Sequence, residues 1–356
     1  MKSFDLKQFN RRDLERRIGH LSQIAGVRLM ELQEGPEAGV RIAEVRSGSG
    51  LRFQVTLDRG MDISLADYKG TALAWRSAKG DVHPAQFDRK GLGWLRSFPG
   101  GLVTGCGLTH LGAPCVDDGE ELGLHGLLSH TPATNVETKT EWNEDKCTFK
   151  VSGVMRENTL FGHNLALYRV IEIELGSSTF TIHDTVVNEG FRVSPLMLLY
   201  HINLGWPLLD EGAALMLNAQ ESKPRDAEAI KGMETATKIP APIAGYKEQV
   251  FFHDLVPDWS GFASALLANR RLELGLFVDY RQKELTRFTQ WKMVGEGEYV
   301  LGMEPANCLV QGRAKERERG TLKFLDPGEK RDFVLRIGIL DGDAELDQFI
   351  QEKNLR

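Results

Sequence analysis

Two stretches of this chain place proton-exchanging side chains where apolar ones are expected. "LMLLYHINLGWPLL" (196–209) is almost wholly apolar, yet His201 and Asn203 sit in its middle. "YVLGMEPANC" ends an apolar run on Glu304, locked in place by Pro305. A buried polar group costs about 1–3 kcal/mol unless it finds a partner. Such residues are therefore either satisfied parts of the core or groups facing a pocket. A third candidate is His125 in "ELGLHGLLSH", flanked by Gly123 and Gly126, which would let a ligand approach the backbone. Two histidines and a carboxylate in apolar settings are the parts of a general acid/base pair with an orienting group, because burial and mutual charge move their proton affinities. Trp291 in "FTQWKMVGEG" offers a flat apolar face, and Arg59 in "TLDRGMDISL" a fork of donors. Each also has a plain structural reading: His201 as a hydrogen-bonded core residue, Glu304 as a salt-bridged carboxylate, His125 as a brace in a glycine-rich loop. Likewise, Arg59 could be a strand-end charge and Trp291 a core aromatic.

The elements that must position these residues read as strands. "LRFQVTL" alternates apolar and polar residues, the mark of a half-buried strand. The same period of two recurs in "MDISL", "YRVIEIEL", "TFTIHDTVV", "RLELGLFVDY", "GTLKFL" and "RDFVLRIGIL", separated by Gly, Asn, Asp and Pro. This pattern predicts an antiparallel sandwich or barrel. Helix is expected only at the ends: "RRDLERRI" capped by Asn10 and stopped by Gly19, and "DAELDQFIQEKN" with Asp343 as its cap. No strong linker divides the chain. Loops such as "SAKGDVHPAQFDRKGLGW", "GAPCVDDGEELG" and "IPAPIAGYKEQ" are long enough to border a site.

Composition narrows the functional classes. The 356 residues carry a net charge of −6, 41% hydrophobic and 8% aromatic residues. The charge argues against nucleic acid or an anionic membrane as the partner. There is no bilayer-length apolar run, signal-peptide core, G-x-G-x-x-G or Walker loop. Cys106, Cys115, Cys147 and Cys308 are irregularly spaced, against a zinc ribbon, and "DDGEE" reads as a solvated loop rather than a metal site. A reduced, cytoplasmic setting is expected.

The order of the pieces carries a resemblance. "GLHG", "YHINLGWP" and a late "GMEPAN", on an all-β chain closing with "LKFLDPGE", resemble the aldose 1-epimerase (galactose mutarotase-like) superfamily. "LDRGMDI", "WLRSFPGGLVTGCGL" and "TQWK" are similar to signatures of its aldose-epimerase-like branch, grouped under a domain of unknown function. The likeness runs from about Val27 to Leu340. It implies an all-β supersandwich of antiparallel sheets forming one mutarotase-like domain over 1–356: a helical extension (1–26), the supersandwich (27–340) and a C-terminal helix (341–356). It also implies a sugar bound on a concave face, with no cofactor and no metal.

By the same resemblance, His201 takes the position of the general acid, Glu304 that of the catalytic base and His125 that of a substrate-orienting histidine, while Asn203 matches the asparagine of the acid's motif. The family's hydroxyl-binding aspartate has Asp254 in "FFHDL" as its candidate, and its arginine Arg59 or Arg96. The implied reaction interconverts the α and β anomers of a sugar by ring opening. Three other readings stay open: a sugar-binding or regulatory protein on this fold, a metal-dependent isomerase using His125, His201 and Glu304, and acid/base chemistry at another sugar carbon. Lys223 and Arg225 in "ESKPRDAEAI" are either surface charges or ligands for an anionic substituent. The sequence leaves the sugar and the oligomeric state open.

Overall fold

The computed structural model describes residues 6–356. It is built from antiparallel sheets with a few short helices. The five strands between Gly26 and Ala72 form a meander in sequence order. An eight-stranded sheet has Phe262–Asn269, Leu274–Arg281, Lys330–Asp341, Thr179–Asn188, Asn164–Glu174 and Lys146–Asn158 as consecutive neighbours, with Ala214–Leu217 and Thr134–Asn143 at its edges. The third sheet carries the site. Its order is Ala219–Pro224, Gln249–Leu255, Arg287–Gly295, Glu298–Ala306 and Ser194–Leu204, with Lys323–Leu325 and Thr104–Leu108 also pairing to the last of these.

The expected alternation is realised where one face meets the core. Leu51, Phe53 and Val55 are buried while Arg52 is exposed, and Ile182 and Asp184 are buried on either side of exposed His183. Phe53 and Phe180 meet across two sheets with ring centroids 4.6 Å apart. At the N-terminus, Asn10 Oδ1 accepts from Asp13 N at 2.8 Å, the expected cap, but the helix ends early, spanning Arg11–Glu15. At the C-terminus the helix is Asp343–Lys353, and its cap is Gly342 rather than Asp343, which is the first helical residue.

The strand that raised the first question, Ser194–Leu204, is buried at all eleven positions. Successive side chains point to opposite faces. Tyr200 faces the eight-stranded sheet, where its hydroxyl donates to Asp184 Oδ2 at 2.7 Å. Asp184 is held by Arg169 through Nε (2.9 Å) and Nη2 (2.6 Å), with both side chains wholly buried. His201 therefore faces the other way. A strand covered on both faces reads as a continuous apolar run because neither side meets water.

Candidate active site

His201 and Glu304 come from adjacent strands; Ile202 pairs with Met303 in the register between them. His201 Nε2 lies 3.2 Å from Glu304 Oε1. The contact is close enough to share a proton but is not aligned as a hydrogen bond, so Oε1 has no hydrogen-bond partner. Both residues are nearly inaccessible. Burial holds the His201 imidazole down at about 4, partly offset by Asn203. Burial, and next the charge of Glu248, push the Glu304 carboxyl well above the usual range, against a smaller opposing effect of Arg225.

Asn203 sits behind the histidine. Its Nδ2 donates to the carbonyls of Gly101 (3.0 Å) and His201 (2.9 Å). That anchorage places Asn203 two residues along the strand, where it raises the imidazole's proton affinity. Gly302 makes room for the carboxylate. A Cβ there would meet Glu304 Oε1 at 2.5 Å and Trp291 Cβ at 2.9 Å. Gly302→Ala is therefore expected to displace the Glu304 carboxyl from the His201 ring, which a crystal structure of the folded variant checks.

His125 closes the group from a loop. Its ring is 5.9 Å from that of His201, edge to face. The residue has φ of 59°, and Gly126 follows at 76°. A non-glycine residue in the left-handed region is uncommon and is characteristic of sites where geometry is imposed. The loop has no room at Gly126, where a Cβ would meet the carbonyl oxygens of His110 (2.2 Å) and Gly107 (2.5 Å). Burial, and then nearby His201, keep the His125 ring neutral.

His125, His201 and Glu304 line a cavity of about 450 Å³, within the range of small-molecule sites. Trp94, Phe98 and Trp291 surround the pair, with the His201 ring 5.4 Å from Phe98 and 5.3 Å from Trp291. The Trp291 indole is fixed by Nε1 donating to Glu248 Oε2 at 2.9 Å. Glu248 also accepts from Arg225 Nη2 at 2.9 Å, and Arg225 Nε donates to Asp226 at 2.7 Å. Thr289 lies cross-strand from Glu304, buried in the lining, with its hydroxyl unpaired.

The structure thus brings together His201, Glu304, His125 and Trp291, with Asn203 buried directly behind His201. It places the other candidates elsewhere. Arg59 is fully buried; it donates to the carbonyls of Val82 and Ser97 and lies 3.3 Å from His130 Nε2. It braces the segment that carries Trp94 and Phe98 without lining the cavity. Arg96 is exposed on the turn Gly93–Arg96. Asp254 is exposed on its strand and borders a different groove with Glu221 and Arg287. Lys223 pairs with Glu221 at 2.7 Å away from the site. Arg225 does line it, but two carboxylates already engage its guanidinium.

Glu248 and Thr289 were not singled out from sequence. Thr289 was within reach, because it stands two residues from Trp291 and so shares its face. Among the described residues no cluster of three or more His, Cys, Asp or Glu has a metal-holding arrangement. The four cysteines are free, and no helix is long and apolar enough to cross a membrane.

Residues 37–339 match the family described as "Domain of unknown function (DUF4432)". The chain belongs to that family. A search of curated proteins returned no match. Among solved structures, a "putative aldose 1-epimerase" from Klebsiella pneumoniae subsp. pneumoniae superposes with a TM-score of 0.88 at 27% identity, covering 92% of this chain and 86% of that one. A galactose mutarotase-like protein from Clostridium acetobutylicum gives 0.63 at 13% identity, over 90% and 99% of the two chains. Galactose 1-epimerase from Lactobacillus acidophilus gives 0.57 at 13%, over 89% and 99%. The two more distant likenesses establish the galactose mutarotase-like fold and nothing further.

Proposed function

We propose that this DUF4432 protein is an aldose 1-epimerase-like isomerase that interconverts the anomers of a sugar by acid/base ring opening. The observation that carries this reading is the buried His201–Glu304 pair, 3.2 Å apart at the floor of an aromatic-walled cavity. A hemiacetal carbon bears two oxygens, and opening its ring requires one to lose a proton while the other gains one. Glu304 takes the proton of the C1 hydroxyl and His201 delivers one to the ring oxygen. The C1–O5 bond opens, the C1–C2 bond rotates, and closure on the opposite face reverses both transfers. Proton count is conserved throughout, so the pair needs no outside reagent.

Burial raises the proton affinity of Glu304 and lowers that of His201, which favours the neutral arrangement with the one shared proton on Glu304. The ionic arrangement, with the proton on His201, contains the same number of protons. It is favoured by the attraction between the two charges and by the polar groups of a bound sugar. His125 faces the ring-oxygen side. Trp291 supplies a flat surface for the C–H face of the ring, and Glu248 and Thr289 supply hydroxyl partners.

The one-proton state sets the pH dependence. Below about 4 His201 and Glu304 both hold protons and no base remains. On the alkaline side exchange falls once Glu304 has lost its proton, above the ordinary carboxylate range. Background-corrected exchange rates are expected to rise through about pH 4 and to fall on the alkaline side only above the ordinary carboxylate range; an acid limb near 6.5, the value of a solvated histidine, would contradict the buried pair.

The function itself is tested by polarimetry on freshly dissolved single anomers of neutral, phosphorylated and acidic sugars. Accelerated mutarotation of at least one supports the reading. Stoichiometric binding with no acceleration moves the protein to a sugar-binding role.

A further inference from the structure

A neutral imidazole carries its proton on one ring nitrogen and keeps a lone pair on the other. For His201 the choice between them decides what the ring can do. Nε2 is the nitrogen beside Glu304, 3.2 Å from Oε1. Nδ1 is buried without a hydrogen-bond partner, and so is Asn203 Oδ1. The two side chains stand two residues apart on the strand Ser194–Leu204 and therefore share a face.

The Asn203 amide has a fixed sense. Its nitrogen donates to the carbonyls of Gly101 (3.0 Å) and His201 (2.9 Å). Turning the amide over would set its oxygen against those two carbonyl oxygens. An amide nitrogen has two protons to give, and both are engaged, so only the oxygen is left for the ring. That oxygen can accept a proton from Nδ1 but cannot supply one. Its effect has the matching sign: Asn203 raises the proton affinity of the imidazole, against the larger lowering by burial. With the proton on Nε2 instead, the lone pairs of Nδ1 and Oδ1 would face each other away from water. The titratable groups around the ring act elsewhere. Glu304 meets Nε2, and Arg225 and Glu248 act on Glu304. The His125 ring, 5.9 Å away, is kept neutral by burial, as is the thiol of Cys106 on the neighbouring strand Thr104–Leu108.

We infer that Asn203 is a positioning residue that holds the proton of neutral His201 on Nδ1 and leaves the Nε2 lone pair facing Glu304 and the sugar. The proton count of ring opening uses this form. Glu304 passes its proton to Nε2 and takes the C1 hydroxyl proton in its place. Nε2 gives the transferred proton to the ring oxygen as the C1–O5 bond breaks and C1 becomes a carbonyl. His201 ends neutral, its Nδ1 proton untouched. A ring that began with its only proton on Nε2 would be left an imidazolate anion by the same delivery. This use of the tautomer rests on the roles proposed above for His201 and Glu304; the tautomer itself does not.

Long-range proton–nitrogen correlation NMR on histidine-labelled protein reads the tautomer, because protonated and bare ring nitrogens resonate far apart. The His201→Gln spectrum identifies His201 among the nine histidines. At neutral pH the wild type is expected to carry the proton on Nδ1, the reverse of the preference of a free histidine side chain in water. Asn203→Leu keeps the shape and removes the oxygen. In it the proton is expected to move to Nε2, and kcat for anomer exchange of D-galactose or D-glucose to fall about tenfold or more. The acid limb should also move below the wild-type value of about 4. A merely structural asparagine would leave the tautomer unchanged. A bare Nδ1 in the wild type, which needs no variant to fold, would overturn the inference. An unchanged Nδ1 proton in folded Asn203→Leu would also overturn it. A proton on Nδ1 that moves in Asn203→Leu, with no exchange of either sugar by the wild type, would uphold the control by Asn203 while removing its catalytic use.

Discussion

Glu304→Gln and His201→Ala will each lower anomer exchange by about 10²–10⁴-fold, the contribution typical of a positioned general acid or base. That corresponds to about 2.7–5.5 kcal/mol of transition-state stabilisation. Exchange spectroscopy at saturating sugar reads the loss, and fluorescence titration should show binding retained. The two variants are informative because both should fold. Burial favours the neutral form of Glu304, so an uncharged amide of the same shape suits its surroundings. A folded-state pKa raised above the unfolded one contributes stability that is present at low pH and lost as pH rises through the folded value. Glu304→Gln removes that loss and should be no less stable than wild type in alkali. The His201 imidazole has the opposite sign. Its folded value of about 4 lies below the unfolded one, so it weakens the fold as pH falls through 6.5 toward 4, and His201→Ala relieves that weakening. Wild-type rates in both variants would make the pair structural.

Arg169→Met will destabilise the protein by about 3–5 kcal/mol, because it leaves the Asp184 carboxylate buried without its partner. Asp184 would keep only the Tyr200 hydroxyl at 2.7 Å, and the carbonyls of Gly60 and Met61 would lose the Arg169 Nη1 donor. This cluster ties the eight-stranded sheet to the strand bearing His201. The loss of stability should therefore be accompanied by a fall in turnover at temperatures where the variant is still folded. Urea unfolding monitored by tryptophan fluorescence checks the first effect. A midpoint unchanged from wild type would show that the pair does not hold the sheets together.

Legibility in the sequence followed physical locality. "LRFQVTL" and "TFTIHDTVV" announced their strands because one face of each meets water, and the period of two survives. His201 and Glu304 stood out because polar groups are rare where water is absent. Their convergence on adjacent strands could not be read from positions 103 residues apart; it came from the resemblance to a family motif. Arg59 looked like a strand-end charge or a ligand for hydroxyls, but its partners are carbonyls at Val82 and Ser97 that only the fold brings close. Asp254 fails for a related reason. It follows buried His253 on its strand, and the alternation turns it outward. Glu248 escaped notice because its significance lies in contacts to Arg225 and Trp291, 23 and 43 residues away. A strand register, not a spacing, decides such contacts.

The most direct test of acid/base chemistry at the C1 and ring oxygens is two-dimensional exchange NMR of the anomeric protons in D₂O, with the protein added to a sugar at equilibrium. The account predicts cross-peaks between the α and β H1 resonances that grow with protein concentration, while every carbon-bound proton keeps its full intensity, because no C–H bond breaks in ring opening. Loss of the C2 proton signal to deuterium, or α/β cross-peaks no stronger than in the protein-free sample for any sugar that binds, would contradict it.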